Sequence, residues 1–219
     1  SAEYYRMINE AVQQRLGGLH SAQTLMFSFD FAEIERLQHA GNWDAATERM
    51  IDAARRLERG GADLLLICSN TMHRMAQDVQ AAVSIPLMHI ADPTAERIKA
   101  AGIKRIGLLG TRYTMEQDFY RGRLTDLHGL DVVVPEAADR QIVNRIIYEE
   151  LVLGVINPDS KAEYLRVVNN LIAQGAEGVI LGCTEIGLLI KQADCPVPAF
   201  DTTEIHALAA VTAALELQI

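Results

Sequence analysis

No CxxC pair and no cysteine–histidine grouping at metal-ligand spacing occurs in this chain. Its three cysteines, Cys68, Cys183 and Cys195, are an odd and scattered set. That excludes a disulfide framework and a zinc site, and predicts a reducing, cytoplasmic setting. Basic residues are outnumbered, 20 Lys and Arg against 29 Asp and Glu, and are nowhere clustered, leaving a formal net charge of −9. Nucleic acid and anionic membrane are therefore excluded as main partners. Small anionic substrates are not, because a few local donors decide their binding. Apolar runs such as residues 64–68 are far too short to span a bilayer. Gly107, Gly110 and Gly122 do not make a nucleotide-binding loop, and no lysine stands in a recognisable pyridoxal phosphate context. His73 and His89 pair with no other ligand and read as core or hydrogen-bonded spacers. The opening, SAEYYRMINE, has no initiator Met, signal pattern or first strand, so the chain is expected to start partway through a domain.

What is present is the pattern of an α/β protein. The 49% hydrophobic content and mean hydropathy of +0.07 suit a globular chain with a sizeable core. Apolar spacing predicts helices over 4–16, 44–59, 72–83, 94–101, 115–128, 138–153, 158–174 and 204–217. Between them fall short strands at 24–29, 64–68, 87–90, 105–109, 131–134, 178–181 and 196–200. The unbroken apolar character of 64–68 predicts burial on both faces of a parallel sheet.

An internal repeat is the most informative feature. "GADLLLICSNT" at 61–71 aligns without a gap on "GAEGVILGCTE" at 175–185, and each is followed by a Pro-containing segment, IPLMHI or VPAFDT. Two related α/β lobes are expected, residues 1–92 with 202–219 and residues 93–201, with parallel sheets and the active site in the cleft between them. The alignment settles which of two adjacent nucleophile-type residues would work. Cys68 falls on Gly182, whereas Ser69 falls on Cys183, Asn70 on Thr184 and Thr71 on Glu185. Side chains alternate along extended backbone, so Ser69 would face Cys183 while Cys68 packs into its own lobe.

Ser69-Asn70-Thr71 and Gly182-Cys183-Thr184-Glu185 resemble the two signatures of the cofactor-independent aspartate/glutamate racemase family, and the GCTE form resembles its aspartate-type branch. The likeness extends to strand–helix order and to the Gly110-Thr111 turn. It implies two pseudo-symmetric lobes, an acidic amino acid as substrate, no cofactor, no metal and a homodimer. Two departures stand out. The family places Cys directly before Asn-Thr, where this chain has Ser69, and it opens with a strand and substrate-touching loop that would precede residue 1.

Racemisation needs a weakly acidic Cα proton removed on one face and one delivered on the other. A thiol suits this because a cleft can bring its pKa toward neutrality. Cys183 is expected to be the main base, with Ser69 on the opposite face. Asn70, Thr71, Thr184 and Glu185 would grip the substrate, helped by helix N-termini after residues 71 and 185; Glu185 could also tune Cys183 or hold the substrate ammonium. Thr111 is expected to line the site and Gln38 to bind there, the alternative for Gln38 being a solvated helix face. Arg112 and Arg121 offer charge for a dicarboxylate, and Cys195 reads as structural. Two other readings remain open at this level: a small-diacid decarboxylase or isomerase, and a catalytically silent amino-acid-binding protein.

Overall fold

The computed structural model describes residues 1–216; the expected end of the last helix at 217 lies outside the described residues. The chain divides into two compact units. One comprises residues 1–67, 74–89 and those from 207 on; the other comprises 68–73 and 90–206.

The first unit contains α1 (Ala2–Leu16), α2 (Phe31–His39), α3 (Trp43–Arg59), β1 (Leu65–Leu66), α4 (Ala76–Ala81) and β2 (Leu87–Met88). The two strands are parallel, with Leu65 opposite Leu87 and Leu66 opposite Met88. The helix starts follow from local chemistry. The Asp30 side chain accepts from Ala32 N–H at α2, and Asn42 accepts from Ala45 N–H at α3. The strand expected at 24–29 does not form, since these residues join neither sheet. Leu25, Met26 and Phe27 are exposed. Alternating apolarity marks a segment fit for a sheet, but only a ladder partner makes it a strand.

The second unit holds α5 (Ala91–Ala100), β3 (Arg105–Gly110), α6 (Arg112–Glu116), α7 (Asp118–Gly122), β4 (Asp131–Val133), α8 (Ala137–Glu149), α9 (Pro158–Ala173), β5 (Gly178–Gly182), α10 (Ile186–Leu189) and β6 (Ala199–Asp201). α11 (Thr202–Glu216) begins here and ends among residues of the first unit. Its sheet is parallel throughout, in the order β4-β3-β5-β6. Both faces are covered, as a parallel sheet requires. Leu109, Val179 and Leu181 enter a cluster with Val143, Ile146 and Tyr164. Ile106, Leu108 and Ile180 enter another with Ile98, Tyr120 and Phe200. The single helix expected at 115–128 is instead α6, α7 and a π-helical turn, Arg123–Leu127, because Gln117 is extended at φ −97, ψ 152. Likewise 72–83 opens as a 3₁₀ turn, Thr71–Met75, before α4, and α8 stops at Glu149 rather than 153.

Several backbone hydrogen bonds recur in both halves of the repeat. Gly61 and Gly175 share the same left-handed φ of 93°. Gly61 N–H and Ala62 N–H bond to the carbonyls of Glu58 and Leu57, and Gly175 and Ala176 bond to those of Ile172 and Leu171. Leu65 N–H reaches Pro86 O, and Val179 N–H reaches Pro198 O. Each half also carries a glutamine brace that pattern reading missed. Gln80 accepts from Leu87 N–H and donates to Ile85 O, while Gln192 accepts from Ala199 N–H and donates to Val197 O.

β3 and β5 approach with glycine opposite glycine, Gly110 against Gly182. A Cβ on Gly182 would sit 2.6 Å from Leu109 O. Gly182→Ala should therefore cost about 1–3 kcal/mol in urea unfolding. Gly122→Ala, whose Cβ would meet nothing nearer than 3.5 Å within a helix, should be neutral or stabilising.

Candidate active site

The six residues Cys68–His73 follow the first unit's strand β1 but belong to the second unit. Side-chain hydrogen bonds into that unit show why. The Asn70 side chain donates to Thr202 Oγ1 at 3.0 Å, and Thr202 Oγ1 donates in turn to Leu181 O at 3.0 Å. Because the Thr202 proton is committed to a carbonyl, it is the amide NH2 of Asn70 that faces Thr202. Asn70 Oδ1 is left buried without a protein partner. Thr71 Oγ1 lies 2.9 Å from Thr111 Oγ1 and 3.5 Å from Thr114 Oγ1, forming a buried triangle of hydroxyls. His73 Nδ1 is 2.7 Å from Ser69 O. The Ser69 side chain is partly exposed, and its Oγ takes only a long 3.4 Å contact from Met72 N–H.

Cys183 follows β5 directly. Its Sγ donates to Glu185 Oε2 at 3.0 Å, and Thr184 Oγ1 donates to the same oxygen at 2.6 Å. Burial pushes the Cys183 thiol well above its ordinary pKa, and the charge and hydrogen bond of Glu185 push it further. The backbone N–H groups of Glu185 and Thr184 work in the other direction, since they favour a thiolate. The expected lowering of this pKa is thus corrected: with the carboxylate beside it, the thiol keeps its proton. Cys68 is partly buried and pushed up to about 11, mainly by desolvation. It lies in the second unit and not with the lobe of its own strand.

Ser69, Asn70, Thr71, Thr111, Cys183, Thr184 and Glu185 all lie in one compact unit. Gln38 lies in the first unit, buried on α2 and not on a solvated face. The helices whose N-termini were expected after 71 and 185 are a 3₁₀ turn and the four-residue α10, too short to carry a sizeable dipole. Arg112 donates to Tyr113 Oη and lies over its ring, and Arg121 pairs with Asp118. Sequence reasoning missed Thr114 and Thr202. Thr202 is the position after the VPAFD segment and matches Ile90 in the repeat, so no shared residue type marked it. Among the described residues, no group of three His, Cys, Asp or Glu side chains is placed to hold a metal ion, and no helix is long and apolar enough to cross a membrane.

The Asp/Glu/hydantoin racemase family model matches residues 1–210. The chain belongs to that family. Membership makes it an isomerase. This racemase-family chain is 56% identical to a Yersinia pestis protein assigned as an Asp/Glu racemase, whose crystal structure matches with a TM-score of 0.91 over 98% of this chain and 93% of that one. An aspartate racemase homologue from Pyrococcus horikoshii is 35% identical, with a TM-score of 0.81 over 98% and 93%. The broad specificity amino-acid racemase RacX of Bacillus subtilis is 26% identical over 178 residues, 80% of this chain and 75% of its own length.

The electrostatics of the family member's thiol are testable without substrate. Glu185→Gln removes the adjacent charge, so the pH profile for Cys183 alkylation, followed by peptide mass spectrometry, should move to lower pH. A profile that stays in place or moves upward would show that Glu185 does not raise this thiol.

Proposed function

We propose that the protein racemises an acidic amino acid, aspartate or glutamate, by abstracting and returning the Cα proton directly, with Cys183 as the main base and Ser69 on the opposite face. The observation that carries this reading is the Cys183–Glu185 hydrogen bond at the end of β5, a protonated thiol beside a carboxylate that can take its proton. Similarity to an Asp/Glu racemase assignment, an aspartate racemase homologue and a broad specificity amino-acid racemase supports it.

The thiol proton passes to Glu185, whose carboxyl is also held by Thr184, leaving a thiolate that faces backbone N–H groups. The thiolate takes the Cα proton, and the negative charge spreads into the substrate carboxylate as an enediolate. Ser69 then delivers a proton to the other face; its alkoxide is reprotonated from water, which receives the Glu185 proton in turn, so every group returns to its starting state. Donors for the developing charge come from the hydroxyls of Thr71 and Thr111, and the free acceptor, Asn70 Oδ1, suits the substrate ammonium. The opposition of Ser69 to Cys183 rests on their equivalence in the repeat, whose flanking hydrogen bonds recur before and after the two motifs.

An alcohol is a far weaker acid than a thiol, so the two directions should differ. Deuterium wash-in at Cα from D2O, followed by NMR with L- and D-aspartate separately, should begin much faster from one enantiomer. Equal initial rates would refute the Cys/Ser asymmetry, and no exchange with any acidic amino acid would refute the racemase reading. Ser69→Cys should speed the slower direction. Cys183→Ala should cut exchange by on the order of 10²–10⁴-fold. Turnover of maleate or an arylmalonate with none of aspartate or glutamate would favour a diacid decarboxylase or isomerase instead.

A further inference from the structure

We propose that His73 is a positioning residue for Ser69, fixing the carbonyl and hence the side-chain direction of the alcohol that works opposite Cys183; this rests on the racemase reading above. His73 is buried, and both of its ring nitrogens are engaged within the same compact unit. Nε2 lies 3.1 Å from Ile90 N–H, and Nδ1 lies 2.7 Å from Ser69 O. A backbone N–H only donates, so Nε2 accepts. A carbonyl only accepts, so Nδ1 carries the proton. The ring is therefore a neutral imidazole in one tautomer, strung between the loop that carries Ser69 and the residue before α5. The His206 ring meets it edge-on, 5.8 Å between centroids at 67°, and resists rotation of its plane.

The need for such a brace is visible in Ser69 itself. Its hydroxyl is partly exposed and takes only the 3.4 Å contact from Met72 N–H, so its own side chain does little to hold it. The two residues that follow are secured through their side chains, Asn70 to Thr202 and Thr71 to Thr111. Ser69 is secured through its backbone, and His73 supplies that bond. In the second half of the repeat the residue matching His73 is Gly187, where the Asp201 carboxylate occupies the space a Cβ would need. The brace is thus a feature of the serine side alone.

The test separates positioning from general loss of structure. In the unsubstituted protein, for the enantiomer whose Cα–H faces Cys183, exchange with retention reports Cys183 alone, while inversion needs Ser69 as well. His73→Leu should reduce inversion roughly tenfold or more while exchange with retention stays within about twofold. His73→Asn, which keeps a donor near the Ser69 carbonyl, should recover most of the inversion rate. Parallel loss of inversion and retention, or an Asn variant no better than Leu, would overturn the proposal. Should the Leu variant not fold, the unsubstituted protein still decides, because ¹⁵N shifts of the His73 ring should show the neutral Nδ1–H tautomer; an Nε2–H or doubly protonated ring would overturn the brace. Absence of all exchange in the unsubstituted protein would instead refute the racemase reading, leaving the tautomer measurement to stand independently.

Discussion

Two parallel strands come together at their carboxyl ends with no side chain between them. Gly110 lies opposite Gly182, and the space a Cβ would occupy is filled by the Leu109 and Gly182 carbonyls. Much of the site follows from that contact. Thr111 is the residue after Gly110, and Cys183 is the residue after Gly182, so the closeness of the strands sets where both emerge. Thr111 also caps α6 by accepting from Thr114 N–H, and its hydroxyl meets Thr71. A single close approach of backbones thereby fixes the thiol and the anchor of the loop that carries Ser69.

The repeat explains why two chemically different ends have comparable frames. The left-handed glycine after each helix, the entry bond to a proline carbonyl and the glutamine brace recur in both halves. These are backbone satisfactions, and each prevents an orphaned N–H or C=O where strand meets loop. Divergence is confined to what the frames present. One half presents an alcohol held by an imidazole through its carbonyl, the other a thiol held by a carboxylate through its sulfur. A duplicated scaffold can keep its hydrogen-bond skeleton while its reactive groups drift, because the skeleton consists of main-chain bonds that only demand glycine, proline and glutamine at a few positions.

How much of this could be read in advance depended on where the determining contact lay. β3 and β5 were legible because burial on both sheet faces leaves continuous apolar runs. The motif residues were legible because strand ends, repeat register and family resemblance pointed to the same positions. Residues 24–29 were misread because an apolar alternation says nothing about whether a neighbour exists to pair with it. α2 was not among the expected helices although Asp30 and Glu33 form an N-terminal signature, and only the helix face weighed for Gln38 pointed to it. The break at Gln117 carries no Gly or Pro to announce it. Thr202 and Thr114 were invisible because their roles depend on hydroxyl contacts across long sequence separations. The thiol's pKa was misjudged for the same reason: motif reading supplied the sulfur and the neighbouring acid, but not the rotamer that turns the acid toward the sulfur.

That rotamer bears on the chemistry in a way a low-pKa thiol would not. A Cα proton is very weakly acidic, and a thiolate whose conjugate acid is already strongly acidic would be a poor base toward it. Burial and Glu185 raise the Cys183 pKa, so fewer molecules carry the thiolate, but each thiolate is a stronger base. The carboxylate that makes ionisation difficult is also the group positioned to receive the proton, so the two effects partly offset. In the proposed mechanism, a positively charged substrate ammonium entering the site would shift the balance toward the ionised sulfur, coupling binding to activation. Ser69 has no comparable partner on its hydroxyl, only a carbonyl fixed by His73. In the proposed mechanism an alcohol in that position would be better suited to returning a proton than to removing one, since removal needs the alkoxide formed beforehand, whereas return is to a carbanion far more basic than the alkoxide. The inequality between the two faces is therefore built into the local bonding, with activation of the nucleophilic atom on one side and orientation of the backbone on the other.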